Sequence, residues 1–328
     1  MLVAQIAYNH LDSVVKTKCD ALIAVALANN NNGTSNFVTA SVWADDFKTQ
    51  LGTGTEHYID LPISLDGTAT NGVASDSDDV VRAIRQCIIT LQNTNAVATN
   101  RATSLRYLLH FVGDIQQPLH SSTAVWSTKT GGDSGGNGFS ITGDWSNLHS
   151  LWDSGGGFLG DFIPRPFTVA SFATLSNKVV GIETDYPFTG NPGAISDPMD
   201  WAVEGKNVAQ TVTYVNITRS TAPTTNYLNS VIATTEQRMA IGGKRLADLL
   251  NTIFAATPVG LTPVPVASGN FSFSWSASAG KTFRVQWKSQ LTDITWNDLA
   301  DVAAAGSSAA YTNSAAQTQR FYRVVSLN

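Results

Sequence analysis

The feature that most constrains how this chain can fold is the stretch Leu105–His120, which contains His110, Asp114 and His120. His110 and Asp114 are four residues apart, so on a helix both side chains project from one face, about one turn from each other. Pro118 stops that helix and moves His120 onto the segment that follows. Such a set is typical of zinc ligands. For one pair alone, the ordinary alternative is a buried histidine hydrogen-bonded to an aspartate.

The pairing of histidine with aspartate recurs elsewhere in the chain. His149 and Asp153 repeat the four-residue spacing on a separate predicted helix, and His57 lies in a non-helical segment downstream of Asp45. Nitrogen and oxygen ligands without thiolates suit zinc with open positions for water, although manganese or iron accept similar ligands. The repetition predicts a metal cluster whose ligands are Asp45, His57, His110, Asp114, His120, His149 and Asp153.

Composition limits the possible functions of this chain of 328 residues. Its net charge of −5 argues against a protein that grips duplex DNA through a basic face, so a nucleic-acid substrate would need positive charge from bound metal. No apolar run approaches the length of a membrane helix, and Met1 leads into an amphipathic pattern without a signal peptide. Cys19 and Cys87 could form one disulfide or remain buried thiols.

Helical periodicity extends over residues 1–256. Ser77 is predicted to cap one helix, Asp144 or Ser146 to cap the helix that carries His149, and Gly242-Gly243 to kink the last helix. His10 is predicted to be structural, in the first helix. The pattern predicts helices at about 1–29, 37–51, 77–95, 103–113, 167–183, 195–215 and 224–256, with a loop or short hairpin at 121–143.

The pattern changes at residues 257–266, where spaced prolines predict a semi-rigid linker. Beyond it, residues 267–328 alternate apolar and polar side chains, which predicts antiparallel strands at 271–275, 283–287, 294–296 and 320–325. The fold class is therefore a mainly α domain at 1–256 followed by a small β-module. Trp275, Trp287 and Trp296 could mark a carbohydrate or surface-attachment site, although core packing is the commoner role in so small a domain.

The motifs along residues 3–253 resemble the zinc-dependent single-strand nucleases of the S1/P1 type, a family related to the bacterial zinc phospholipases C. The matching segments, in the family's order, are Trp43-Ala44-Asp45 with Lys48, His57-Tyr58-Ile59-Asp60, His110–His120, Gly136-Asn137 and Asn147–Asp153. The resemblance implies that one zinc is held by Asp45, His57, His110 and Asp114, and a second by His120, His149 and Asp153. It also implies that Asp114 bridges to a third zinc. The β-module resembles the fibronectin-like appendages of secreted bacterial proteins.

The resemblance is incomplete at the amino end. In this family the mature chain begins with a tryptophan whose amino group and carbonyl bind the third zinc, helped by a histidine five residues later. Val3–Ala7 aligns just after that histidine, so both ligands are missing here. The third zinc is therefore expected to be weak or absent. A start assigned to an internal methionine is favoured over a naturally reduced cluster, because the signal peptide is also missing.

The resemblance implies hydrolysis of single-stranded DNA and RNA to 5′-phosphate products by zinc-activated water, and leaves 3′-nucleotidase activity open. Asp45 would help to orient the water, and Lys48 would neutralise charge on the pentacoordinate phosphate; otherwise Lys48 is an ordinary solvated lysine. Tyr58 would stack on a base and Asp60 would accept hydrogen bonds from its edge, with core packing as the alternative for Tyr58. Asn137 is a further candidate for substrate binding.

Two other functions are open at this point. A zinc phospholipase C would share the metal ligands, although the Tyr58–Asp60 pair and the Trp-Asp sequence ending at Asp153 look more like the nucleases. A zinc-binding or adhesive protein with a decayed cluster is favoured by the missing amino-terminal ligands and opposed by the remaining seven. We expect a secreted or periplasmic monomer with no membrane partner, whose β-module has a surface or carbohydrate as its candidate ligand.

Overall fold

The chain divides into two compact units in a computed structural model that describes residues 1–27, 33–74, 76–160, 163–187, 197–254, 259–264, 270–290, 296–314 and 320–327. One unit comprises Met1–Leu11 and Cys19–Ile253, and the other comprises Asp12–Lys18 and Phe254–Asn328. The first is mainly helical and the second mainly β. The predicted fold class, a mainly α domain followed by an antiparallel β-module, is confirmed.

The helices and short strands up to Ile253 surround a buried apolar core. The helices are α1 Leu2–Asn9, α2 Ser13–Ile23, α3 Phe37–Ala40, α4 Trp43–Leu51, α5 Val80–Gln92, α6 Ala98–Asp114, α7 Leu148–Asp153, α8 Val169–Asp185, α9 Pro198–Val208 and α10 Thr225–Ile253. Short 3-10 turns lie at Gly54–His57, Pro118–Ser121 and Gly155–Gly157, and a π-helical turn at Ala209–Thr213 continues α9. Strands β1 Pro62–Ser64 and β2 Thr123–Val125 form a parallel pair. No helix in the described ranges is both long and apolar enough to cross a bilayer.

Two of the predicted helices are divided in the structure. The helix predicted at 1–29 is α1 and α2, because His10 ends α1 and α2 begins after Asp12, whose carbonyl accepts the amide of Lys16. Residues 28 and 29 lie outside the described residues. The His10 ring is paired with Glu183 at 2.6 Å, in agreement with a structural role. The helix predicted at 37–51 is divided at Ser41, which leaves the Ser41 carbonyl available to the site described below.

The helix caps differ from those predicted. Asp79, not Ser77, caps α5, since its Oδ1 accepts the Arg82 amide at 2.9 Å. Asn147, not Asp144 or Ser146, caps α7 through a 2.8 Å bond from the Ser150 amide. In both cases the capping side chain is the one directly before the first helical residue, where its oxygen can reach the free amides of the first turn.

The predicted kink at Gly242-Gly243 is wrong, because α10 is continuous from Thr225 to Ile253. A Cβ on Gly242 would lie 2.6 Å from Cγ of Gln116, and a Cβ on Gly243 would lie 2.3 Å from Cγ2 of Ile6. The glycines therefore let α1 and the segment after α6 approach the α10 backbone closely.

The segment 121–143, predicted as a loop or hairpin, contains β2, which is fully buried and pairs with β1 rather than with a neighbouring strand. Cys19 and Cys87 are both buried and are not joined by a disulfide, so the disulfide alternative is not realised.

The β-module is a sandwich of two antiparallel sheets. Its strands are β3 Thr262–Val264, β4 Asn270–Ser276, β5 Thr282–Lys288, β6 Asn297–Ala303, β7 Ser308–Ser314 and β8 Phe321–Ser326. The sheet orders are β3-β4-β7 and β6-β5-β8, and residues of both sheets share one apolar core. Trp275 is buried in that core, whereas Trp287 and Trp296 are half-buried. Strand β3 lies within the predicted linker, and residues 294 and 295 of one predicted strand lie outside the described residues.

Candidate metal centre

The first donor group is assembled around the carboxyl end of α6. His110 and Asp114 project there from one helix face, and Asp45 on α4 and His57 in the turn 54–57 complete the group. Asp114 Oδ2 lies 2.9 Å from Nδ1 of His57 and 3.0 Å from Nε2 of His110, and the two ring nitrogens are 3.1 Å apart. Donor atoms of Asp45, His57 and His110 all lie within 4.8 Å of one another.

An aromatic floor fixes the position of the first donor group. The His57 ring meets the Phe111 ring edge-on at a centroid distance of 5.1 Å, and Phe111 stacks on Tyr107, also at 5.1 Å. Trp43, two residues before Asp45, packs edge-on against Tyr107 at 5.4 Å. These contacts bury the His57 ring and fix α4, the turn Gly54–His57 and α6 relative to one another.

The second donor group joins a turn to a short helix. His120 lies in the turn Pro118–Ser121, and α7 presents His149 and Asp153 one turn apart. The two carboxylate oxygens of Asp153 lie 3.4 Å from Nε2 of His120 and 3.2 Å from Nε2 of His149. The two imidazoles stack at a centroid distance of 5.1 Å, so both rings present the same edge to the carboxylate.

Two glycines let the 131–138 loop reach this group. Gly135 and Gly136 have φ angles of +60° and +81°, which L side chains rarely adopt. A Cβ on Gly135 would lie 2.5 Å from the carbonyl oxygen of Leu119, and one on Gly136 would lie 2.8 Å from the Leu119 side chain. The close approach brings the Gly135 carbonyl to 2.6 Å from Nδ1 of His149.

The hydrogen bonds of the histidine rings show which ring nitrogen is available to a metal, and so whether the donor groups fit one. Backbone carbonyls, which can only accept, lie 2.7 Å from Nδ1 of His110, 2.9 Å from Nδ1 of His120 and 2.6 Å from Nδ1 of His149. Each Nδ1 therefore carries a proton, so Nε2 is the ring nitrogen that faces the carboxylates and that would bind a metal, as in metal sites whose ligands are oriented by outer hydrogen bonds. His57 instead turns Nδ1 inward, and its buried Nε2 has no partner among the described residues. The donors fit zinc.

The carboxylates of both groups are held ionised. Burial alone would raise the pKa of Asp114, but the attraction of His110 and the hydrogen bonds from His110 and His57 outweigh it and lower that pKa far below its usual range. The pKa of Asp153 is lowered in the same way, against its burial, by the hydrogen bonds from His120 and His149. Both aspartates are therefore available as anionic ligands throughout the neutral range.

Of the predicted substrate residues, Lys48 lines the cleft with the donors, whereas Tyr58, Asp60 and Asn137 lie outside its lining, on segments whose backbones bond to the second group. Lys48 Nζ lies 3.0 Å from Asp45 Oδ1, and both side chains are about half exposed. Tyr58 and Asp60 flank Ile59, whose amide donates to the His120 carbonyl at 2.8 Å. The two therefore share one side of an extended segment next to the second group. Asn137 is exposed, and its amide donates to the Ser134 carbonyl at 2.8 Å.

Asp60 has an unusual protonation behaviour. Partial burial, together with the nearby carboxylates of Asp133 and Asp76, raises its pKa to about 6. Asp133 is fully buried, and it accepts hydrogen bonds from the Ala124 amide and the Tyr214 hydroxyl. Asp60 therefore exchanges its proton in the range where many enzymes work.

One cleft of about 430 Å³ contains all seven predicted ligands. Its wall also includes Gln116 and Arg238, which the sequence analysis did not single out. Gln116 lies inside the His110–His120 motif, so its place in the sequence could have identified it as a residue of the cleft. In the sequence, Arg238 is distinguished only as a charged residue on the apolar face of α10. Many charged residues on such faces have no role in a functional site, so this pattern does not identify Arg238.

Known proteins resemble the chain over its helical part. Residues 1–255 match the S1/P1 nuclease family. Endonuclease 4 of Arabidopsis thaliana is 29% identical over 240 residues, which cover 66% of this chain and 76% of that protein. Nuclease P1 of Penicillium citrinum is 28% identical over 254 residues, covering 68% and 86%, and nuclease S1 of Aspergillus oryzae is 25% identical over 280 residues, covering 76% and 88%.

Among solved structures, the alpha-toxin of Clostridium perfringens aligns over 99% of this chain and 91% of that chain, with a TM-score of 0.35 and 11% identity. A likeness of that size does not by itself establish a common fold. The family match is decisive and confirms the resemblance in the sequence motifs: the chain belongs to the S1/P1 nuclease family, and it is a hydrolase that acts as an endonuclease.

Proposed function

We propose that this enzyme hydrolyses single-stranded DNA and RNA to products with 5′-phosphates, using zinc held by the seven donors of the cleft. The observation that carries the proposal is the orientation of the imidazoles. Three of them donate Nδ1–H to backbone carbonyls and so turn Nε2, the atom that would bind a metal, toward the aspartates. If the histidines and aspartates had only a structural role, the protein would not need two groups with this imidazole orientation in one open cleft.

Asp45, His57, His110 and Asp114 are the proposed ligands of one zinc, and His120, His149 and Asp153 those of a second. Among the described residues two groups of donors can each hold an ion, which supports a content of two. Asp114 is the ligand proposed to reach a third zinc, and we expect that zinc to be weak or absent. Bound zinc supplies Lewis acidity to the phosphate and acidifies a water molecule toward neutral pKa.

The chain's own side chains orient the reactants. Asp45 is half exposed at the edge of the first group, where a free carboxylate lone pair can accept a hydrogen bond from the attacking water. The ammonium of Lys48, 3.0 Å from Asp45, lies where it can neutralise negative charge as it develops on the phosphate oxygens. These two residues are the proposed catalytic side chains.

The segment after His57 supports a preference for single strands. Tyr58 provides a ring for stacking, and Asp60 provides a carboxylate that can accept hydrogen bonds from the edge of a base. In a duplex that edge is already paired and the ring faces of the base are covered by neighbouring bases. We propose that Tyr58 and Asp60 bind the base, and that exposed Asn137 contacts the substrate from the opposite loop.

The test is zinc content by elemental analysis together with hydrolysis of single-stranded DNA, single-stranded RNA and duplex DNA by the same preparation. We expect about two zinc ions per chain, cleavage of both single strands and 5′-phosphate ends on the products. Cleavage of a phosphocholine lipid instead would identify a phospholipase C. Bound zinc without turnover of any of these substrates would identify a decayed cluster, and a protein that binds no zinc would overturn the proposal.

A secreted or periplasmic location and a monomeric state are part of the proposal. The β-module has a surface or a carbohydrate as its proposed partner, because Trp287 and Trp296 are half-buried rather than fully enclosed in its core. Cell fractionation, light scattering and binding of the full chain to polysaccharides test these points separately.

A further inference from the structure

One amide side chain of the cleft is bonded to both donor groups without belonging to either. Gln117 lines the cleft and lies in sequence between Asp114 of the first group and His120 of the second. Its backbone amide donates to the Asp114 carbonyl at 2.9 Å, and its carbonyl accepts the His120 amide at 3.0 Å. Its side-chain Nε2 donates to Oδ1 of Asp153 at 2.8 Å, 36 residues away in the chain. Gln117 is therefore bonded to one ligand of the first group and to two of the second.

The orientation of the Gln117 amide is fixed by its partners. Gln117 comes directly before the turn Pro118–Ser121, and its Oε1 accepts the Leu119 amide at 2.5 Å. A backbone amide can only donate, so the oxygen of the side chain must face Leu119 and its NH2 group must face Asp153. One side chain therefore caps the turn that carries His120 and also holds the carboxylate at the end of α7.

The Asp153 carboxylate lacks the support that burial gives to Asp114. Asp153 is the last of the six residues of α7, and its side chain is 46% exposed, compared with 15% for Asp114. A carboxylate at this end of a helix faces the negative pole of the helix dipole, and an exposed side chain loses rotamer freedom when it is held in one position. Its contacts with His120 and His149 are 3.4 Å and 3.2 Å long, so the bond from Gln117 is the shortest of the three.

We propose that Gln117 is a positioning residue for the second zinc, because it holds the Asp153 carboxylate toward His120 and His149. This inference rests on the proposed function, since it concerns one of the two proposed metal groups. Without the Nε2 donor the exposed carboxylate can turn into the solvent, and it must be ordered again when the ion binds. The affinity of the second group for zinc then falls. The first group keeps its affinity, because Asp114 is held by its burial and by two imidazoles.

A shorter amide at position 117 separates the two roles of the side chain. Gln117→Asn keeps an oxygen that can cap the turn, since asparagine is a preferred capping residue, but it is one methylene shorter and withdraws the NH2 group from Asp153. The matched control is Gln116→Asn, the same change in the preceding residue of the same cleft wall. The side chain of Gln116 bonds to Arg245 at 3.5 Å and packs against Gly242 rather than holding a ligand.

The experiment titrates the zinc-free full-length protein with zinc in competition with a chromophoric chelator. The second ion is identified as the one that His149→Ala does not bind. For Gln117→Asn we expect the dissociation constant of the second ion to rise about ten- to a hundredfold, the usual scale for a residue that orients a metal ligand, with the first unchanged. The thermal midpoint of the metal-free variant should stay close to that of the wild type. Gln116→Asn should lower that midpoint and leave both dissociation constants unchanged.

Cobalt(II) provides a spectroscopic readout of the same site, because its visible absorption depends on the arrangement of its ligands. We expect the spectrum of cobalt at the second group to change in Gln117→Asn and not in Gln116→Asn. Wild-type zinc affinity and a wild-type cobalt spectrum in Gln117→Asn would overturn the inference, as would a loss of affinity that Gln116→Asn shares.

The titration uses no nucleic acid, so it separates this inference from the proposed activity. A wild type that binds two zinc ions and does not cleave single strands would overturn the proposed function, while the comparison of the two asparagine variants would still decide the role of Gln117. A wild type that binds no second ion would overturn the proposed metal centre and this inference with it.

Discussion

The two donor groups of the cleft are built in different ways. In the first group His57 and His110 are almost fully buried, and an aromatic floor supports them. In the second group the side chains of His149 and Asp153 are 21% and 46% exposed, and their support is a short helix and a glycine loop. The comparison indicates that the first group is part of the core, whereas the second lies at the surface, so we expect the second to exchange a bound metal more readily.

Replacement of Asp114 should have the largest effect, because its carboxylate contacts both buried imidazoles of the first group. Asp114→Asn keeps the shape but removes the anionic charge. We expect zinc content to fall by at least one ion and the cleavage rate to fall about a thousandfold, equivalent to about 4 kcal/mol. Elemental analysis and initial rates measure both effects. Full zinc content with normal turnover would show that Asp114 is not a ligand.

Replacement of Gly135 should affect the second group alone. In Gly135→Ala the new Cβ would meet the Leu119 carbonyl at 2.5 Å, which displaces the carbonyl that orients His149. We expect loss of one zinc and a destabilisation of about 1–3 kcal/mol from the strained backbone. Gly143→Ala is the control, since Gly143 has φ +99° but its nearest neighbour is 3.8 Å away. If both variants lose zinc equally, backbone strain rather than His149 orientation is the cause.

The rate of zinc removal should separate the groups kinetically. With excess chelator we expect two phases, the faster one from the exposed second group. The thermal midpoint should fall mainly with the slower phase, because the first group is part of the core. His149→Ala should abolish the fast phase, and His57→Ala the slow one, as measured by absorbance of a zinc-chelator complex. A single phase for the wild type would contradict the distinction between the groups.

The sequence predicts the donors of both groups equally well, although their supports differ. A four-residue spacing on a helix is local geometry, so His110 with Asp114 and His149 with Asp153 could be found without knowing the fold. The supports depend on contacts between distant segments. Gly242-Gly243 pack against α1 and the segment after α6, rather than kinking α10. Strand β7, rich in alanine and serine, was missed because its pairing with β4 decides its structure.

The cleft wall shows the same limit. The position of Arg238 is fixed by its hydrogen bonds to Gln116 and Glu204, which lie 122 and 34 residues away in the chain. By contrast, Tyr58 and Asp60 follow His57 directly, so a recognisable motif contains them. Residues next to a ligand in sequence can be predicted, whereas residues that reach the site through tertiary packing need the structure.

The smallest expected effect concerns Asp60, which borders the exposed second group. Its pKa of about 6 lies above the ordinary 3.8, because burial and the carboxylates of Asp133 and Asp76 disfavour ionisation. The folded state therefore binds this proton more tightly than the unfolded state, so folding stability falls as pH rises from about 4 to about 6. Asp60→Asn removes the ionisation, and the thermal midpoint of this variant relative to the wild type should rise over the same interval.

Substrate binding should change in the opposite direction. The ionised carboxylate accepts hydrogen bonds from a base edge, so the wild-type KM for a single-stranded oligonucleotide should fall a fewfold as pH rises through about 6. The ratio of the variant KM to the wild-type KM removes pH effects that the two proteins share, including those of the metal ligands. We expect that ratio to rise through the interval in which the stability difference also rises. A ratio independent of pH, combined with a pH-dependent stability difference, would show that Asp60 titrates as the structure indicates but does not contact the base.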